Sequence, residues 1–177
     1  EPEENNIDDA NQPNAPELSK VIQSARTWQP EFDSWRGKEA PGFTITDISG
    51  QEHSLKQYRG KNVILVFWAT WCQPCVQEVP SLITIQNIRG EEELRILAIS
   101  YAGRNNSEEQ IRELVNSNER INYPVFTINT DQMPEPYNRI SCIPCSFFIN
   151  KEGKIKLATV GQMHYTDLKA ILNAKAE

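Results

Sequence analysis

Four cysteines stand in this chain of 177 residues, and they fall into two pairs of the same spacing. Cys72 and Cys75 form one C-x-x-C, in Trp71-Cys72-Gln73-Pro74-Cys75. Cys142 and Cys145 form the other, in Cys142-Ile143-Pro144-Cys145. Two sulfurs so spaced can open and close a disulfide, or supply half of a zinc site. Free cysteines can also pack quietly as small apolar residues. Four cysteines are too few for a disulfide scaffold in a chain this long.

The surrounding elements decide between these chemistries. The longest apolar run, Val63 to Ala69, has the length of a strand. Its continuous hydrophobicity suits a strand buried on both faces, as in parallel sheets. The pattern predicts that strand over 62–69 and a helix over 73–88, bent at Pro80. Cys72 then sits at a helix N-terminus, where unpaired N–H groups and the positive end of the helix dipole favour a thiolate. Pro74 falls in the first helical turn, where a missing N–H costs little. Cys75 lies one turn deeper. This places Cys72 as the attacking sulfur and Cys75 as the resolving one. Trp68 and Trp71 beside the pair strengthen the redox assignment.

The rest of the chain alternates strand and helix signals. Residues 1–16 are polar and proline-rich, and are expected to be a disordered tail or a tether from a removed membrane anchor. Leu18, Val21, Ile22 and Ala25 have helical spacing, so a short helix is expected over 17–28, within a helical extension of 17–38 whose Trp28, Phe32 and Trp35 cover one edge of the core. From residue 39 the main domain begins. A hairpin is expected over 43–55, with its turn at Ser49-Gly50. A strand follows over 94–101. The capping box of Ser107 and Gln110 starts a helix over 108–118. A strand over 125–128, a hairpin of 145–149 with 154–160, and a helix over 165–175 complete a mixed α/β sandwich.

Composition excludes several classes. The net charge of −6 argues against nucleic-acid binding, which needs basic clusters. No apolar stretch reaches the roughly 18–20 residues that span a membrane. His53 and His164 lack partners at metal or catalytic spacing and are expected to be solvated.

Phe67-Trp68-Ala69-Thr70-Trp71-Cys72-Gln73-Pro74-Cys75 resembles the active site of the thioredoxin superfamily. Ala40-Pro41-Gly42-Phe43, Ser49-Gly50, Leu55, Gly60-Lys61 and Cys75-Val76-Gln77-Glu78-Val79-Pro80 resemble its TlpA/ResA-like branch. The likeness runs from about residue 39 to 175. It implies a three-layer thioredoxin-like sandwich with a mixed central sheet, an N-terminal hairpin addition and an inserted central helix. It also implies a membrane-tethered, extracytoplasmic reductase, of a kind that often serves cytochrome c maturation. The partners implied are a disulfide-containing protein substrate and a membrane thiol reductant of DsbD/CcdA type. A monomer is expected, with no cofactor and no metal.

The resemblance also assigns residues. Pro144 stands where the family has a cis-proline facing the active site, so Ile143–Pro144 is expected to be cis. Trp71, Pro74, Ile143 and Pro144 then line the substrate contact. Glu78 matches the glutamate that this branch keeps near its cysteines. Val66 stands where ordinary thioredoxins carry a buried aspartate, which makes Glu78 the candidate to exchange protons with Cys75. A solvated helix carboxylate is the plainer alternative.

Cys142 and Cys145 depart from the family pattern. Three readings stay open: quiet packing, a second redox pair beside Cys72, or a metal site of four thiolates. The whole-chain alternatives are a thiol peroxidase and a metal-binding chaperone. Peroxiredoxins share the Ala40–Trp68 layout, but they carry threonine three residues before the reactive cysteine, where this chain has Ala69.

Overall fold

The computed structural model describes residues 14–118 and 120–175. Most of the expected tail, residues 1–13, lies outside them. In chain order the elements are α1 (Leu18–Ser24), β1 (Trp28–Glu31), β2 (Thr44–Thr46), β3 (Glu52–Ser54), β4 (Asn62–Phe67), α2 (Gln73–Arg89), β5 (Leu94–Tyr101), α3 (Glu108–Ser117), β6 (Val125–Ile128), β7 (Cys145–Ile149), β8 (Ile155–Gly161) and α4 (Tyr165–Asn173). Short 3-10 turns connect several of them.

An unbroken apolar strand is stable only where both its faces are covered. β4 meets this condition inside a six-stranded sheet ordered β1-β8-β7-β4-β5-β6. β4, β5 and β6 run parallel, while β7, β8 and β1 are added antiparallel. The two-residue period of a strand then sorts its side chains into two cores. Ile64 and Val66 join Ile96, Phe148, Leu82, Ile85 and Leu168 in one, beneath the helices. Val63, Leu65 and Phe67 join Phe147, Phe43, Tyr58 and Tyr137 in the other. The second core is covered by the β2–β3 hairpin and 3-10 turns, and it is rich in aromatic contacts. Tyr137 meets Phe147 edge-on at 5.1 Å, and Phe67 meets Phe147 at 6.0 Å.

This is the thioredoxin-like sandwich the resemblance implies, with β2–β3 as the added hairpin and α3 as the inserted helix. α3 starts on the Ser107–Gln110 capping box. It packs Ile111 onto the same core as α2 and α4.

Two expectations are corrected. The helix expected over 17–28 is shorter. α1 ends at Ser24, and Trp28–Glu31 forms an edge strand against Ala158–Gly161. Pro30 lacks a donor, which an edge strand tolerates and a helix interior would not. The aromatics of this segment divide: Trp28 enters the first core, while Phe32 and Trp35 pack on the second.

His53 is not solvated. It is 1% exposed, with Nε2 at 2.9 Å from Asp47 Oδ2, Nδ1 against the Tyr58 hydroxyl, and its ring edge-on to Phe126. Asp47 also accepts from the Ser49 and Gln51 amides, so one imidazole ties the hairpin to the turn at Tyr58. We expect His53→Ala to cost about 2–4 kcal/mol, because it strands two buried polar partners. A solvated histidine would change stability by only about 0.5 kcal/mol. The shift in urea midpoint at constant slope measures which holds.

Candidate active site

The site is built where β4 ends and α2 begins. Trp68 still donates from its amide to Ile99 O at 3.1 Å, prolonging the parallel pairing by one residue. The chain then turns, and the Cys72 amide donates to Ala69 O at 3.2 Å. Cys72 is the N-cap of α2 in extended conformation, and its Sγ accepts from the Cys75 amide at 3.3 Å. Pro74 lies in the first turn, as the spacing requires.

Cys72 and Cys75 are joined as a disulfide, with Cα atoms 5.3 Å apart. Both sulfur residues are buried, whereas Trp71 beside them is 63% exposed. A cavity of about 20 Å³, enough for roughly one water, lies under Cys75 between Trp68, Val79, Leu82 and Tyr123. Its walls are mostly apolar and keep bulk water from the inner sulfur.

Glu78 occupies the next turn on the same face of α2 as Cys75. It is 1% exposed, and neither carboxylate oxygen has a well-formed hydrogen bond. The plainer alternative of a solvated carboxylate is thereby corrected. Burial pushes its pKa up to about 8; the Met163 amide draws it down and the Asp167 charge adds to the rise. Tyr123, itself buried, feels the Glu78 charge. Tyr123, Met163 and Asp167 come from distant segments, and no local pattern in the sequence marks them as neighbours of Glu78.

The 142–145 loop carries the expected cis peptide at Ile143–Pro144. Ile143 packs against the core that contains Cys72 and Cys75. Behind the loop, Pro144 O accepts from the Gly161 amide at 3.0 Å. Gly161 has φ +116°, and a Cβ there would fall 2.4 Å from Thr27 O, so only glycine lets β8 approach this closely.

The structure separates the two cysteines of this loop. Cys142 is an exposed free thiol, while Cys145 is free and fully buried. Cys145 stands opposite Phe67 in the β4–β7 register, so its side chain joins the aromatic core. Cys72 and Cys75 belong to the core on the other face of the sheet. Of the readings open for this pair, quiet packing fits Cys145, because one step of strand period turns it away from the core that holds Cys72 and Cys75. Burial pushes the Cys145 thiol far above its ordinary range and keeps it protonated. Among the described residues, no group of three or more His, Cys, Asp or Glu is arranged to hold a metal ion.

Comparison with known proteins agrees with this geometry. Residues 36–158 match the AhpC/TSA family. The thiol-disulfide oxidoreductase ResA of Geobacillus kaustophilus is 34% identical over 138 residues, covering 78% of this chain and 76% of that protein. The thioredoxin-like protein YneN of Bacillus subtilis is 31% identical over 137 residues, covering 77% and 78%. Among solved structures, the exposed lipoprotein thioredoxin Etrx1 of Streptococcus pneumoniae superposes with a TM-score of 0.65 at 27% identity, covering 75% of this chain and 98% of that one.

The Glu78 shift has a consequence for stability. The folded state holds this proton up to about pH 8, whereas an ordinary carboxyl with pKa 4.5 releases it far earlier. Between those values the folded state binds more protons than the unfolded, so stability falls as pH rises. Glu78→Gln removes the titration. With the disulfide intact, we expect the variant to gain about 2–4 kcal/mol on wild type between about pH 5 and 9. Urea unfolding at several pH values reads this directly; a pH-independent difference would contradict it.

Proposed function

This chain belongs to the AhpC/TSA family and is a protein-disulfide oxidoreductase, and on that premise we propose that it reduces disulfides of extracytoplasmic proteins. The observation that carries this reading is the buried, nearly neutral Glu78 one turn behind a C-x-x-C at a helix N-terminus.

In the reduced enzyme, the Cys72 thiolate attacks one sulfur of a substrate disulfide. The S–S bond breaks, the first substrate sulfur leaves as thiolate, and Cys72 is held to the second in a mixed disulfide. In molecules whose Glu78 is ionised, a minority at neutral pH, the Cys75 thiol gives its proton to that carboxylate and attacks Cys72 Sγ. The second substrate sulfur leaves, and the Cys72–Cys75 disulfide closes. The substrate has gained two electrons and the enzyme has lost them. A base whose pKa lies near that of its thiol partner suits such a transfer. At neutral pH a carboxyl of pKa about 8 is mostly protonated, so Glu78 also serves the reverse step, returning a proton to Cys75.

Exposed Trp71 and Pro74, with Ile143 and Pro144 across the loop, form the rim against which the substrate strand lies. The enzyme must then be reset by a two-electron donor, and a membrane thiol reductant of DsbD/CcdA type fits that demand. A pneumococcal structural relative is described as an exposed lipoprotein, which supports placement outside the cytoplasm on a tether. No helix among the described residues is long and apolar enough to cross a membrane, so an anchor would lie outside them. In that location the enzyme would act as a monomer, and cytochrome c maturation is the process that needs such a reductant.

The roles of the two sulfurs separate in a turnover assay. Cys72→Ala should lower insulin reduction by more than about 100-fold, because the nucleophile is gone. Cys75→Ser should accumulate a mixed disulfide with substrate, seen by mass and released by dithiothreitol. Wild-type turnover by Cys72→Ala would refute the assignment.

A further inference from the structure

The loop that delivers Cys72 to the helix end has a polar anchor that the chemistry above does not use. Asn106 lies between β5 and α3 and is 3% exposed. Its Oδ1 accepts from the Thr70 amide at 2.9 Å and from the Thr70 hydroxyl at 3.0 Å. Its Nδ2 donates to Ser100 Oγ at 2.6 Å and to Tyr101 O at 2.8 Å. An amide N–H can only donate and a carbonyl can only accept, so these partners fix which side-chain atom is oxygen. The whole hydrogen-bonding capacity of the side chain is satisfied.

The anchor reaches further along the loop. Ser100 Oγ donates to Trp68 O at 2.8 Å. Thr70 and Trp68 flank Ala69, whose carbonyl receives the Cys72 amide. Asn106 is itself held by paired backbone bonds with Gly103, at 3.1 and 3.2 Å. The buried amide therefore ties the Thr70 side of the turn to β5 directly, and the Trp68 side through the Ser100 hydroxyl to which it donates. Such placement matters because the field of a helix end falls off within one turn.

We propose that Asn106 is the positioning residue for Cys72: it fixes the 68–70 turn so that Sγ sits at the α2 N-cap, and so sets the thiolate stability and redox equilibrium of the pair. This role rests on Cys72 being the attacking sulfur. Loosening the turn draws Sγ from the helix end and destabilises the thiolate. The dithiol form loses most from that change, so the disulfide becomes the more favoured partner in exchange with glutathione.

Two variants of the full chain test the role, with alkylation mapped to Cys72 by peptide mass so that Cys142 does not contribute. For Asn106→Ala, the pH of half-maximal iodoacetamide reaction at Cys72 should rise by about one unit, and the glutathione equilibrium should move about tenfold toward the disulfide. Thr70→Val removes only the hydroxyl bond and should raise that pH by about half a unit and move the equilibrium about threefold in the same direction. A residue that merely packs would lower the urea midpoint and leave both thiol measurements at wild-type values; that result overturns the role. If Asn106→Ala does not fold, Thr70→Val decides, and wild-type values from it overturn the role equally. Neither measurement requires a protein substrate. Insulin turnover that survives Cys72→Ala would instead remove the reductase reading and leave these values untouched.

Discussion

Only the thiolate form of cysteine attacks a disulfide, and in this chain the end of α2 is the place that stabilises one. That requirement governs the architecture around it. The helix must begin at the carboxyl edge of the sheet, beside the loop that carries the cis-proline. It does so because β4 is central, paired with β5 on one side and β7 on the other. A strand so flanked cannot shift register without turning its apolar residues from one core to the other. The position of Cys72 is thus inherited from the register of β4.

A second constraint is the burial of a carboxyl group without a well-formed hydrogen bond. An ionised carboxylate in such a place would be strongly destabilising. Burial resolves the conflict by keeping Glu78 mostly protonated near neutral pH. What is unfavourable for stability is useful for chemistry, because the same desolvation brings its pKa close to that of a thiol. Three parts of the chain meet at Glu78: α2 supplies it, the segment before β6 supplies Tyr123, and the turn after β8 with the first turn of α4 supplies Met163 and Asp167.

The two faces of the sheet divide the labour. One holds the helices, the redox disulfide and Glu78. The other holds an aromatic core stabilised by Phe67, Tyr137 and Phe147, with Cys145 sealed inside. The His53–Asp47–Tyr58 set ties the added hairpin to that second face. Cys142 alone of the second pair meets solvent. The two sulfurs of that motif therefore live in different chemical settings despite their matched spacing.

Much was legible in local pattern. The unbroken run at Val63–Phe67, the helix with Pro74 in its first turn, the Ser107 capping box and the turn at Ser49-Gly50 each declare an element, because their physics acts over a few residues. The C-x-x-C at a strand-to-helix junction declared the chemistry for the same reason. Pattern failed where the deciding partner lies far along the chain. Trp28–Glu31 became a strand because β8 offered an edge. His53 was buried because Tyr58 and Asp47 closed around it. Cys145 was turned from Cys72 by its register opposite Phe67. The amino-acid order by itself determined which residues could do chemistry and which elements carry them; the tertiary structure decided which of them meet, because burial, register and long-range hydrogen bonds exist only once the sheet has closed.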